Sequence, residues 1–206
     1  MSFELLPPQN DDVRLARIRE LLVDDPSLVE TVEEREAKWH NAIFAAEKWE
    51  VTQPDGVVGE RDIVLHNGGA GVCVVREGRM CLVRQYRVAL GRMTLEIPAG
   101  KLDLGEDPAV CAARELTEET GLVARRLVPI ATSSSAPGFT NEKTRIFYAC
   151  DVSQHPARPD ADEFVDVVWV PLDEVVAAVR AGVIEDAKTV VAALFAQGLE
   201  GAAESL

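Results

Sequence analysis

The stretch GKLDLGEDPAVCAARELTEETGL, residues 100–122, decides how the chain is read. Pro108 and Gly121 have the asymmetry of helix ends, proline being tolerated in a first turn and glycine supplying the left-handed residue past the last one. This predicts a helix over 108–120. On it Glu115, Glu118 and Glu119 stand at i, i+3 and i+4, so their side chains gather on one face. Val110, Ala113, Leu116 and Thr117 are expected on the broadly opposite side, packed on a sheet. Like charges at this spacing repel one another and weaken an isolated helix, so a positive charge from outside the helix is required. Hard divalent cations, Mg2+ or Mn2+, are held by oxygen ligands and suit that role.

A bare acidic cluster of this kind would otherwise be a solvated helix face, but the surrounding positions are constrained too. Gly100 is followed after five residues by Glu106, and after seven more by Arg114, Glu115 and Leu116; Glu118, Glu119, Gly121 and Leu122 complete the pattern. Nine residues at these spacings resemble the Nudix box, a signal far more specific than a lone glycine motif. The resemblance implies an α/β fold: a loop, helix and loop carried in an α/β/α sandwich on a mixed sheet. It implies that Glu115 and Glu119 are metal ligands and that Glu118 is a further ligand or a partner of metal-associated water. Ala99 would offer its backbone carbonyl to a metal, Gly100 and Gly121 would permit the loop bends, and Glu106 and Arg114 would hold the box together.

The flanks narrow the group. LVRQYR at 82–87, LEIPAGKLDLGE at 95–106 and SAPGFTNE at 135–142 resemble the ADP-ribose pyrophosphatase group, and Pro137 lies 16 residues past Gly121, as the proline marking that group does. The likeness covers roughly residues 43–197 and implies hydrolysis of a nucleoside diphosphate sugar, ADP-ribose to AMP and ribose 5-phosphate, by attack of water on one phosphorus. Arg84 and Arg87 follow MCLV on one extended segment and are expected to point the same way. Guanidinium groups grip phosphate oxygens bidentately, and Arg87 is the choice for the diphosphate. Arg61, in GERDIV, matches a position that reaches the partner subunit's substrate in a dimer, so a homodimer is expected. Trp49 or Phe44 is a candidate to stack on adenine, with core packing as the alternative. The general base is assigned to Glu163, in the acidic stretch Pro159–Glu163, with Asp162 and Asp160 as neighbouring choices and a box glutamate, Glu118, as the other catalytic candidate. Two other readings are a GDP-mannose or other nucleotide-sugar pyrophosphatase, and a non-catalytic Nudix module that binds ligand or regulates. The second generally loses box carboxylates, and none is lost here.

Outward from this segment, residues 1–40 read as a charge-rich helical N-terminal extension, with Val13, Ala16, Ile18, Leu21 and Leu22 at helical spacing and a break at Pro26. Residues 41–66 read as a hairpin turning at Pro54, Asp55 and Gly56, its first arm FAAEKWE suiting strand or helix, and 67–206 as the catalytic domain. Within that domain VCVV and MCLV flank a Glu77–Gly78 turn, strands are expected near 127–132, 145–150 and 164–170, and helices near 172–180 and 185–197. The N-terminal hairpin is expected to serve dimerisation.

Lys and Arg total 21 against 35 for Asp and Glu, a formal net charge of −14, which disfavours extended contact with nucleic acid. A small anionic substrate is compatible with that charge, since bound cations reverse the local field. No apolar run approaches the roughly 20 residues of a membrane span, and Met1–Asn10 has no basic segment followed by an apolar one. The expected partner is therefore a small nucleotide sugar, not a membrane, and the expected location cytoplasmic. Cys73, Cys81, Cys111 and Cys150 show no CxxC spacing and read as buried free thiols; His40, His66 and His155 form no zinc pattern.

Overall fold

In the computed structural model, residues 12–157 and 164–204 are described. The chain divides into two compact units: Met1–His66 with Ala136–Asn141, and Asn67–Ser135 with Glu142–Leu206. The first contains helix α1 (Asp12–Leu21) and an antiparallel sheet of β1 (Thr31–His40), β2 (Phe44–Thr52) and β3 (Val58–His66), in the order β1-β2-β3. The β2–β3 turn is the one expected at 54–56, closed by Gly56 N–H to the Gln53 carbonyl at 2.9 Å, with Gly56 at φ +83°. FAAEKWE is a strand.

The helical reading of residues 1–40 needs correction. Helix is confined to α1 among the described residues, and Thr31–His40 is a strand paired from Thr31↔Thr52 to His40↔Ala45. TVEEREAKWH has no apolar helical stripe to bury, whereas the open edge of β2 satisfies its backbone groups. A tertiary partner overrides a weak local preference.

The second unit has three layers. Strands β4 (Gly69–Cys73), β5 (Val75–Arg76), β6 (Arg79–Arg87), β7 (Arg92–Glu96) and β8 (Ala99–Lys101) precede helix α2 (Pro108–Thr120). After it come β9 (Leu122–Ser134), β10 (Lys143–Gln154), β11 (Val165–Pro171), α3 (Leu172–Arg180) and α4 (Ala187–Glu204). One sheet runs β8-β4-β10-β9 and is mixed, β10 lying parallel to β4; the other runs β11-β6-β5, with β7 also paired to β6. The β5–β6 hairpin turns through Glu77 and Gly78, both at positive φ (52° and 69°), the conformation that matches strand twist in two-residue loops.

Period-two alternation divides the core. Ala70, Val72, Val74, Cys81, Phe147 and Ala149 face α2, where they meet Cys111, Ala112 and Leu116. Cys73, Met80, Leu82 and Ile146 face the other way, against Leu172, Val175 and Val176 of α3 and Ala192, Ala193 and Ala196 of α4. Each central strand is thus covered on both faces, which is why VCVV and MCLV are unbroken apolar runs. Burial pushes the thiols of Cys73, Cys81 and Cys111 up to about 12, the behaviour of inert core cysteines. Among the described residues no helix is long and apolar enough to cross a membrane.

Candidate active site

Helix α2 starts where its sequence says it should. The Asp107 carboxylate accepts from the N–H groups of Ala109 (2.8 Å) and Val110 (3.3 Å), and Pro108 needs no partner for a missing N–H. It stops at Gly121, φ +71°, where a Cβ would lie 2.1 Å from the His155 carbonyl oxygen. Only glycine fits there, on both steric grounds.

The buried face differs from the one expected. Val110 and Ala113 are exposed; the sheet is met by Cys111, Ala112 and Leu116, and Glu115 and Glu119 are themselves buried, at 7% and 5% exposure. Cys111, Glu115 and Glu119 form one i, i+4, i+8 row beside the row of Ala112, Leu116 and Thr120, so two acids border the apolar stripe instead of opposing it.

Two buried carboxylates require compensation. Ala99 donates its backbone N–H to Glu119 Oε2 at 3.0 Å. Arg114 Nη1 donates to Glu115 Oε1 (2.7 Å) and Glu118 Oε2 (3.1 Å), while its Nε and Nη2 reach Glu106 at 3.2 Å each. The Arg114 hydrogen bonds hold the Glu106 carboxyl below its usual range, helped by the Asp103 N–H. Gly100 is indispensable to this packing: a Cβ there would lie 1.9 Å from the Glu115 carboxylate. Among the described residues no three Asp, Glu, His or Cys side chains meet at metal-ligand spacing, and Arg114 lies against both Glu115 and Glu118. The donor chemistry still suits a hard divalent cation: oxygen atoms only, two of them from buried carboxylates beside the Ala99 backbone.

A second charged cluster lies where β6 and β7 meet the start of α4. Glu96, at the end of β7, has a side chain only 4% exposed. Its Oε1 accepts from Arg87 Nε and Thr94 Oγ1 (2.7 Å each), and its Oε2 from Arg87 Nη2 (2.8 Å) and Lys188 Nζ. Burial alone would push this carboxyl up; the donors from Arg87, Lys188 and Thr94 hold it down at about 2. Lys188 also reaches Asp186 Oδ1 at 2.8 Å, and Asp186 Oδ2 accepts from the Thr189 N–H (3.0 Å) and hydroxyl (2.6 Å), capping α4. The Thr189 hydroxyl oxygen in turn accepts the Ile97 N–H at 2.8 Å, fastening the chain three residues before Gly100. Arg87, Arg92, Leu90, Met93, Glu96 and Lys188 help line a groove of about 450 Å³. Glu119 is among the charges that raise the Arg87 pKa, after the Glu96 hydrogen bond.

Residues 65–194 match the NUDIX domain. The chain belongs to the Nudix family. It is 40% identical over 151 residues to the ADP-ribose pyrophosphatase of Bacillus subtilis (strain 168), covering 72% of this chain and 82% of that one. It is 38% identical to the methanol dehydrogenase activator of Bacillus methanolicus, with the same shares covered. The crystal structure of an ADP compounds hydrolase superposes with a TM-score of 0.74 at 25% identity, over 84% of this chain and 96% of that one, in agreement with the α/β Nudix architecture.

The Nudix box residues thus come together as one unit, Ala99, Gly100, Glu106, Arg114, Glu115, Glu118 and Glu119 being joined by the contacts above. Arg84 and Arg87 do not share a face. The β6–β7 register is unbroken from Val83↔Glu96 to Arg87↔Arg92, and three residues is an odd step on a strand, so the two side chains alternate. Arg84 instead lies 3.6 Å from Asp166 on β11 at the surface. Arg61 belongs to the other unit and pairs with Glu30. Trp49 has Arg35 over its ring at 4.2 Å and donates Nε1–H to Glu47, and Phe44 lies 4.8 Å from Trp39 between ring centroids. Pro137 groups with the N-terminal unit, where Val64 N–H donates to the Phe139 carbonyl at 2.8 Å. Glu163, Asp162 and Asp160 lie outside the described residues. Sequence reasoning missed Glu96, Thr94, Asp186, Lys188 and Thr189. The signal for Glu96 was a single charge between Leu95 and Ile97 in an otherwise buried run; for Asp186 and Thr189 it was the Asp-x-x-Thr start of a helix.

The folded-state Glu96 carboxyl sits below its ordinary value of 4.5, so the stability it contributes is fully present above about pH 4.5 and is lost as pH falls toward 2. Unfolding free energies measured by urea denaturation are expected to differ most between wild type and Glu96→Gln at pH 6–7, with the gap narrowing below about pH 4.5 and closing only toward pH 2. A gap independent of pH would contradict the ion-pair account.

Proposed function

We propose that the protein hydrolyses the diphosphate of a nucleoside diphosphate sugar, converting ADP-ribose and water to AMP and ribose 5-phosphate, with Mg2+ or Mn2+. The observation that carries this reading is the pair of buried carboxylates, Glu115 and Glu119, beside the Ala99 backbone, with Arg87 held by Glu96 three residues before Ala99 in the chain. The likeness to an ADP-ribose pyrophosphatase and to an ADP compounds hydrolase supports the substrate class. Glu115, Glu119, the Ala99 carbonyl and Glu118 would hold the cations, whose chemistry when bound is to neutralise phosphate charge and make water more acidic. Arg87 uses Nε and Nη2 on Glu96, which leaves Nη1 to donate to non-bridging phosphate oxygens in the groove. Glu163 takes the proton as the water oxygen bonds to one phosphorus, and the bond from that phosphorus to the bridging oxygen breaks. Asp162 and Asp160 are the neighbouring candidates for the base, and Glu118 the alternative from within the box. Arg84 supplies positive charge at the β6 surface, at the cost of its pairing with Asp166.

The same reading makes the protein a homodimer through its N-terminal sheet, with Arg61 turned to the partner subunit's substrate. Val32, Trp39, Phe44, Val57 and Val58 in that unit are exposed apolar side chains, and a three-stranded sheet gains from a second surface.

Glu119→Gln is expected to lower kcat by about a hundredfold with the melting temperature little changed, since it removes an anionic ligand but keeps the shape. Glu163→Gln is expected to lower kcat while metal activation is retained; the same result from Asp162→Asn would move the base by one residue. In a panel of ADP-ribose, GDP-mannose and ATP at matched Mg2+, ADP-ribose should give the highest kcat/KM, because a triphosphate lacks the second sugar that orients the reacting phosphorus. A faster reaction with ATP would overturn the assignment, and a faster one with GDP-mannose would change the sugar only. Light scattering at micromolar concentration is expected to return twice the chain mass; a fully active monomer would sink the dimer.

A further inference from the structure

We propose that Lys188, at the start of α4, is a positioning residue for Arg87: it fixes the Glu96 carboxylate, and the fixed carboxylate holds the guanidinium with Nη1 turned to the groove. The inference rests on the reading of Arg87 as the diphosphate-binding arginine.

An ionised carboxylate offers about four lone-pair sites. Glu96 has all of them occupied, by two Arg87 donors, the Thr94 hydroxyl and the Lys188 ammonium, drawn from β6, β7 and α4. With Nε and Nη2 both engaged, the Arg87 plane is set by the carboxylate plane, and a planar group held at two points has one orientation left. Arg87 is nonetheless 44% exposed. A guanidinium so open to water would sample many rotamers if its anchor could rotate. Thr94 restrains only Oε1; Lys188 is the restraint on Oε2 that does not come from Arg87 itself.

The placement of Lys188 is unfavourable on local grounds. A cation in the first turn of a helix opposes the helix dipole. Here it is also drawn inward, its side chain only 15% exposed although lysine normally keeps its ammonium in water. Fastening α4 to the sheet does not require it. Asp186 caps the helix through Thr189, and Thr189 holds the Ile97 N–H, so both ties survive without the ammonium. Beyond its contact with Asp186 within the same turn, what Lys188 adds is the link to Glu96.

The test compares wild type, Lys188→Met, Lys188→Arg, Arg87→Ala and the Arg87→Ala/Lys188→Met double variant. For each, steady-state kinetics with ADP-ribose and Mg2+, calorimetric titration of ADP-ribose into metal-free protein, and a thermal melt are measured. Lys188→Met is expected to raise KM about tenfold and weaken binding to a similar degree, with kcat within about threefold of wild type. Lys188→Arg should recover most of the loss, because a guanidinium can donate to the same oxygen. The double variant should be no worse than Arg87→Ala alone, since a residue acting through another adds nothing once that one is gone. If Arg87→Ala raises KM and Lys188→Met does not, the role of Lys188 is overturned while that of Arg87 stands. Unchanged KM in Arg87→Ala would overturn the Arg87 reading and this inference with it. Additive losses in the double variant, or a Lys188→Met defect that tracks a lower melting temperature and is not rescued by arginine, would overturn the positioning role.

Discussion

Glu115 and Glu119 are one helical turn apart, of like charge and almost wholly buried, and the catalytic unit is organised around compensating them. Burying even one ionised carboxylate costs several kcal/mol unless charge and hydrogen bonds are brought to it. Arg114, next to Glu115 on the same helix, is held against it by Glu106; the backbone of Ala99 is brought to Glu119. Glu106 and Ala99 both come from the chain just before the helix, which must approach it closely, and Gly100 allows this because any side chain there would occupy the place of the Glu115 carboxylate. The glycines, the arginine and the glutamates of the box are therefore one solution to a single electrostatic problem. Cations bound at these carboxylates would share with Arg114 the neutralisation of their charge.

The second cluster follows the same rule with a different outcome. Glu96 is as buried as the box acids, but its carboxylate is saturated by protein donors, which lower its pKa to about 2 and leave it no capacity for a further ligand. Its use is to aim Arg87. The buried carboxylates of this unit thus divide into the two on α2, whose compensation includes a backbone N–H or a shared arginine and which suit a cation, and the one on β7 that is fully spent in the fold.

Helix α4 links the two. Its apolar side packs on the sheet through Ala192, Ala193 and Ala196, and its first turn reaches the end of β7 through Lys188 and Thr189. The Ile97 N–H held by Thr189 stands just before Pro98, Ala99 and Gly100, so the C-terminal helix steadies both the arginine and the approach to the box loop. Fixing reacting groups in this way removes reorganisation from the chemical step.

What the sequence determined by itself was local and periodic. Helix α2 runs Pro108–Thr120 as its caps require, the Glu77–Gly78 and 54–56 turns form where glycine stands, and the box spacing identified the family, since all of these depend on residues within a few positions of one another. The tertiary structure decided the rest. That Val110 and Ala113 face solvent while Glu115 and Glu119 are buried was not visible in a helical wheel, because burial depends on the neighbouring strands and not on the residue's own polarity. Thr31–His40 became a strand because β2 had an edge to pair, and the odd spacing of Arg84 and Arg87 acquired meaning only with the β6–β7 register. Lys188 lies 92 residues from Glu96, and no local pattern ties a lysine to a carboxylate at that distance; only the packing of α4 across the sheet, driven by apolar burial indifferent to either charge, puts one within reach of the other.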